Sequence, residues 1–248
     1  RRPPRSTLFT YTTLFRSIER IIEKLSKNNF TIYLITNGRR LKNIDFALRL
    51  KDKGLTNVGI SIEGSNPGVH DSITQVSGSF NDTLTGLKNS LNVGLKTYTN
   101  TTICSNNIND LEHIRDLVFQ IGIKNIGFNI CGQCISNEHN YVLSPLKASE
   151  AFKKLYLTTL HKDIKITLLT AIPLCFFEPI IREELKTTNA IHGGPCQMAH
   201  GKSFVIDYNG DVIPCTHLTG HPLFNVFNDA GKIVSAEKFI EIYNDPQG

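Results

Sequence analysis

The chain has 248 residues, of which 40% are hydrophobic and 20% charged, with 6 cysteines and a formal net charge of +5. Such a composition suits one large globular domain with or without a small appendage, and no apolar run reaches the roughly 20 residues a bilayer-spanning helix needs. Arg1, Arg2, Arg5 and Arg16 supply four of the five net charges; the other charges alternate in sign, with no basic stripe interleaved with aromatics, so neither a nucleic-acid nor a membrane partner is expected.

Residues 1–17 (RRPPRSTLFTYTTLFRS) show neither helical nor strand periodicity. They resemble translated sequencing-adaptor read-through, or else a basic arm, and are set apart as a non-native or disordered segment. From Ile18 the pattern alternates. Ile18, Ile21, Ile22 and Leu25 have helical spacing, and Thr31–Ile35 reads as a strand ending at the turn signal Thr36-Asn37-Gly38. Ile44, Ala47 and Leu48 suggest a helix, Val58–Ile62 a strand closing on Glu63-Gly64, and Phe80, Leu84, Leu87 and Leu91 another helix face. The Thr-rich stretch 97–104 is a strand, Leu111 to Ile121 a helix, Ile126–Ile130 a strand, and Ala148 to Thr159 a helix.

Strands recurring about every thirty residues with helices between them have the rhythm of βαβ units, which right-handed crossovers lay side by side as a parallel sheet. A barrel and a doubly wound sheet both satisfy this, and both gather ligands at the carboxyl ends of the strands. The rhythm changes after about Lys162. Ile164–Leu169 is a further strand and Pro179–Lys186 a short helix. Phe204–Asp207 and Asp211–Ile213 flank Asn209-Gly210, a strong hairpin signal. These features predict a first domain over 18–189 and a small second domain over 190–248 that opens with a hairpin.

In a chain of this α/β pattern, paired cysteines favour metal binding over disulfides. Cys196 and Cys215 bracket the hairpin, which would bring two thiolates toward one iron–sulfur or zinc site; two buried cysteines acting as small apolar residues are the competing reading. Cys131-Gly132-Gln133-Cys134 follows a strand and offers a second thiol pair, either as further ligands or as loop thiols. Thr36 and Ser61 read by themselves as a turn residue and a small core residue.

The stretch Cys196, thirteen residues, Gly210, four residues, Cys215 resembles the opening of the SPASM or twitch auxiliary-cluster domain of radical S-adenosylmethionine (SAM) enzymes. Ile35-Thr36-Asn37-Gly38 resembles the end of the third barrel strand of that superfamily, and Gly59 to Gly64 the fourth. His70-Asp71 and Gly78-Ser79-Phe80 follow as in SPASM-type members. The resemblance covers about residues 18–220. It implies a partial (β/α) barrel holding strands three to six of six, followed by the auxiliary domain. It also implies a [4Fe–4S] cluster and SAM as cofactors, with Thr36, Asn37, Ser61 and Glu63 as SAM contacts. Cys196 and Cys215 would hold an auxiliary cluster, with Cys131 and Cys134 as further candidates. A peptide or protein substrate, an electron donor such as ferredoxin or flavodoxin, and a cytoplasmic setting go with the family.

The chain departs from the family in two ways. Neither the Cys-x3-Cys-x2-Cys loop that holds the catalytic cluster nor the glycine-rich motif after the second strand is present, so the sequence reads as a fragment that begins inside the barrel and is expected to be inactive by itself. Ser72–Gln75 and Thr216 stand where sulfatase-maturing relatives carry an arginine and an aspartate. The alternative is a nucleotide- or phosphate-binding α/β protein with a structural zinc hairpin.

Overall fold

The computed structural model describes residues 17–131, 141–170, 172–191, 204–214, 220–228 and 231–244. The chain forms two compact units, residues 1–192 and 193–248. Cys134, Cys196 and Cys215 lie outside the described residues.

The first unit is built on a parallel sheet of order β1-β2-β3-β4-β5: Tyr33–Thr36, Asn57–Ser61, Lys96–Ile103, Asn125–Ile130 and Lys165–Leu168. The fifth strand, which the sequence places after the change of rhythm, pairs Asn125 with Lys165 and Phe128 with Leu168 and so extends the same sheet. Helices α1 (Ile18–Lys27), α2 (Ile44–Asp52), α3 (Pro67–Thr74), α4 (Ser79–Asn92), α5 (Leu111–Gln120), α6 (Pro145–Leu157) and α7 (Pro179–Thr187) fall before and between the strands and after β5. Among the described residues no helix is long and apolar enough to cross a membrane.

Local chemistry starts these helices. The side chains of Asn43, Asn66 and Ser144 accept from the backbone N–H groups of Phe46 (2.9 Å), Val69 (3.1 Å) and Lys147 (3.3 Å), and Pro67 and Pro145 occupy the first helical turn. The core lies between the helices and one face of the sheet, where Val58, Ile60, Ile62, Ile126, Phe128, Ile166 and Leu168 are buried. Phe128 meets Phe152 of α6 edge to face, ring centroids 6.4 Å apart. On α2 the buried residues are Phe46, Ala47 and Leu50, whereas Ile44 and Leu48 are 47% and 46% exposed. The apolar stripe is therefore rotated from the Ile44-Ala47-Leu48 face that the spacing suggests.

The second unit contains an antiparallel sheet of β6 (Val205–Ile206), β7 (Asp211–Ile213) and β8 (Phe224–Asn225), followed by α8 (Ala236–Asn244). Phe204 and Phe224 pack on Phe239 of α8, centroids 4.9 and 5.1 Å apart. The hairpin loop has three residues, Tyr208-Asn209-Gly210, rather than a two-residue Asn-Gly turn. Asp207 N–H donates to the Asp211 carbonyl (2.9 Å), Gly210 N–H donates to the Asp207 carbonyl (3.1 Å), and only the glycine takes a left-handed φ, 85°. A Cβ on Gly210 would also lie 2.7 Å from the Phe227 ring. Gly210→Ala is therefore expected to destabilise this sheet by about 1–2 kcal/mol, the cost of a left-handed L-residue. The check is amide hydrogen exchange in β6 and β7, accelerated about tenfold or more while the first unit's rates stay unchanged.

Candidate functional site

Side chains alternate between the two faces of the sheet, and the register lines them up across strands. One face meets the helices. On the other, Gly59 stands beside Tyr98, Ser61 beside Asn100, Asn100 beside Gly127, Gly127 beside Thr167, and Thr102 beside Asn129. Two glycines make room on this face. A Cβ on Gly59 would lie 2.5 Å from the Tyr98 ring, and one on Gly127 would lie 2.8 Å from Leu169 Cδ1. Tyr98 thus lies across β2 toward the amino ends of the strands, while hydroxyl, amide and carboxyl groups collect toward the carboxyl ends, where a ligand is expected.

The carboxyl ends of β2 and β3 are tied together by one side chain. Asn107, fully buried, accepts from the Cys104 N–H (2.9 Å) and donates to the carbonyls of Glu63 (3.0 Å) and Thr102 (2.9 Å). Glu63 in turn accepts from the Thr102 N–H through Oε2 (2.8 Å), and its own N–H donates to Nδ1 of buried His70 (3.1 Å). Burial pushes the Glu63 carboxyl up to about 7, against the opposing Thr102 hydrogen bond. Burial pushes the His70 imidazole down, against the pull of Asp71, and a neutral ring accepting at Nδ1 fits that direction. Gly64 allows α3 to approach, since a Cβ there would lie 2.5 Å from the His70 N.

The His70-Asp71 pair therefore has a structural job. Asp71 accepts from Gly78 N–H (2.7 Å), Ser79 Oγ (2.8 Å) and Phe80 N–H (2.8 Å), clamping the start of α4, and His70 packs edge-on against Phe80, centroids 5.8 Å apart. Although desolvation opposes it, the combined hydrogen bonds hold the Asp71 carboxyl below the usual aspartate range. Its contribution is thus present above the unfolded carboxyl's pKa and lost as pH falls through the lowered native value. Asp71→Asn is expected to lower the melting temperature at pH 7 and to narrow the difference from wild type as the pH approaches 3, which a melting series across pH would show.

The four residues nominated as SAM contacts fall into two groups. Ser61 and Glu63 belong to the polar face. Thr36 pairs with Ile60 and so alternates to the helix side; its Oγ1 accepts from Gly38 N–H (3.2 Å). The Asn37 side chain accepts from Arg39 N–H (3.2 Å) and its carbonyl accepts from Thr83 Oγ1 (2.9 Å). Thr36 and Asn37 border a separate cavity of about 650 Å³ that flanks β1 and α2, lined also by Arg39, Arg40 and Phe46. The turn itself is tightly held: a Cβ on Gly86 of α4 would lie 2.3 Å from the Gly38 carbonyl oxygen.

Cys104, the buried residue that follows β3, lies near Glu63, and desolvation chiefly raises its thiol pKa. Cys131 continues the ladder by one bond, its N–H donating to the Ile103 carbonyl (2.9 Å). Among the described residues no three His, Cys, Asp or Glu side chains are grouped to hold a metal ion. Asn100, Asn107 and Asn129 are the functional candidates that periodicity did not single out. The one hint was the polar run Ser105-Asn106-Asn107 after a Thr-rich strand.

Residues 7–118 match the family described as Radical SAM superfamily. None of the curated proteins compared with the chain matches it. Among solved structures, the native anSMEcpe with bound AdoMet and Kp18Cys peptide has 18% identity and a TM-score of 0.61, covering 85% of this chain and 60% of its own. Streptococcus suis SuiB has 11% identity and a TM-score of 0.65 over 92% of this chain and 52% of its own. SuiB bound to the precursor peptide SuiA gives 10% and 0.62, over 92% and 50%. The chain thus spans little more than half the length of these proteins, and the likeness establishes a shared fold. The family match thus spans β1 to β3 and their helices, and the solved structures share the fold of the chain.

Proposed function

We propose that the polar face at the carboxyl ends of β2–β4 holds the adenosyl part of SAM, within a radical SAM enzyme that modifies a peptide or protein. The observation that carries this reading is the convergence of Ser61, Glu63 and Asn100 on one face of adjacent parallel strands. SAM offers ribose hydroxyls, which suit hydroxyl and carboxylate partners, and a cationic sulfur, which suits an ionised carboxylate. Two solved structures of the same fold contain peptides, Kp18Cys and SuiA, which supports a peptide substrate here. Thr36 and Asn37 would act indirectly, by holding the turn after β1 through their hydrogen bonds to Gly38 and Arg39.

In this family SAM and a [4Fe–4S] cluster supply the radical chemistry when bound. The Cys-x3-Cys-x2-Cys loop is not among these 248 residues, so no step through that cluster is assigned to them. What these residues contribute is binding and orientation: Ser61 and Glu63 hold the nucleoside, while Tyr98 and Leu169 close the sheet face beneath it. Cys196 and Cys215 would carry an auxiliary cluster, with Cys131 and Cys134 as a second thiol pair, and ferredoxin or flavodoxin would serve as electron donor in an anaerobic cytoplasm.

Calorimetric titration of the 248-residue chain with S-adenosylhomocysteine (SAH), which lacks the reactive sulfonium, tests the binding claim. Saturable binding that weakens about tenfold or more in Ser61→Ala and Glu63→Ala is expected, with no 5′-deoxyadenosine formed from SAM. No saturable binding, or binding indifferent to both substitutions, sinks the reading. Incorporation of zinc rather than iron on reconstitution with iron, sulfide and zinc would instead favour a zinc hairpin.

A further inference from the structure

A directed hydrogen-bond chain crosses the polar face. The Ile130 N–H donates to Thr170 Oγ1 (2.9 Å), the Thr170 hydroxyl donates to Asn129 Oδ1 (3.3 Å), and Asn129 Nδ2 donates to Asn100 Oδ1 (3.1 Å). A backbone N–H can only donate, so the chain has a fixed starting direction, and it ends at the Asn100 amide. With Oδ1 engaged toward β4, the Nδ2 group of Asn100 points away from β4, on the side where Ser61 is its registered neighbour. Among the described residues that Nδ2 group has no acceptor. Gly127, the registered neighbour of Asn100 on β4, leaves room for Leu169, which a Cβ there would meet at 2.8 Å, and such a Cβ would make only ordinary contact with Asn100 Oδ1, at 3.5 Å.

An amide whose oxygen accepts from Asn129, itself fixed by Thr170, and whose nitrogen is left on the polar face, is a preorganised donor. Free rotation would present oxygen and nitrogen alike, whereas the relay presents nitrogen. We infer that Asn100 is a ligand-binding residue of this face, its Nδ2 donating to an acceptor atom of the adenosyl ligand, with Asn129 and Thr170 as positioning residues; the inference rests on the adenosyl reading above.

Asn100→Asp separates a binding role from a structural one. Aspartate has the same shape and still accepts from Asn129, but it has no Nδ2 donor. The expected result for the 248-residue chain is SAH binding weakened about tenfold in Asn100→Asp with a nearly unchanged melting temperature. Thr170→Val is expected to weaken binding about threefold and Thr170→Ser to restore it. In the wild type, the assigned Asn100 side-chain NH₂ resonances should shift on saturation with SAH, a measurement that stands even if Asn100→Asp fails to fold. Binding within twofold of wild type in a folded Asn100→Asp, or NH₂ resonances unmoved at saturation, overturns the inference while leaving the adenosyl reading intact. Absence of SAH binding by the wild type overturns both.

Discussion

Asn107→Ala is expected to cost the first unit about 3 kcal/mol or more. The side chain is fully buried and satisfies three backbone groups on two strand ends, the Cys104 N–H and the Glu63 and Thr102 carbonyls. Removing it strands those groups, which have no other side-chain partner among the described residues, at about 1–3 kcal/mol for each one left unmade. For a unit of this size that corresponds to a melting temperature lower by about 6–12 °C. Asn107→Asp sharpens the test. A carboxylate can still accept from Cys104 but cannot donate to either carbonyl, and it adds a negative charge beside Glu63. Its deficit should therefore exceed that of a neutral loss at pH 8 and shrink toward pH 5, as Glu63 takes up a proton. A loss below about 1 kcal/mol in Asn107→Ala would mean that water or a shifted loop replaces the amide, and that the β2 and β3 ends are not held by this residue.

Where the fold was legible, the reason is burial. Val58, Ile60 and Ile62 alternate because one face of β2 meets helices, and Ala148, Phe152 and Leu155 recur at helical spacing because α6 covers Phe128. Helix α3 was not legible, since Pro67–Thr74 has a single buried residue, His70, and owes its helix to the Asn66 cap and Pro67. The motif reading grouped Thr36 with Ser61 and Glu63 but could not set the parity of Thr36, which depends on its pairing with Ile60. Asn100, Asn107 and Asn129 escaped for a related reason. A single asparagine in a strand or loop carries no period, and its meaning comes from partners on another strand. The Cys196 and Cys215 assignments fall outside the described residues, so their sequence spacing remains their support.

Glu63→Gln is expected to stabilise the chain at pH 8 and to weaken its ligand binding, a combination that separates a functional carboxyl from a structural one. The wild-type carboxyl rises from an ordinary value of 4.5 to about 7 on burial. Between those values the native state binds more protons than the unfolded state, so this group's contribution is fully present below 4.5 and is lost as pH rises through 7. At pH 8 the buried charge then costs on the order of 2 kcal/mol, allowing for its partial exposure. Glutamine keeps an acceptor for the Thr102 N–H without the charge, so the variant should melt higher than wild type at pH 8 and alike at pH 4. His70, whose pKa moves down, contributes in the opposite sense over the neighbouring range and is present in both proteins, so the difference between them isolates Glu63. The same proton governs binding if the carboxylate accepts from the ribose: wild-type affinity for SAH should rise about tenfold from pH 6 to pH 8, the advantage of an ionised acceptor over a neutral one, while Glu63→Gln binds weakly at both. A buried charge that costs stability and returns it only when a ligand arrives is what a binding site predicts. If Glu63→Gln neither stabilises the chain at pH 8 nor flattens the pH dependence of binding, the carboxylate is solvated and the polar face has no such tension to relieve.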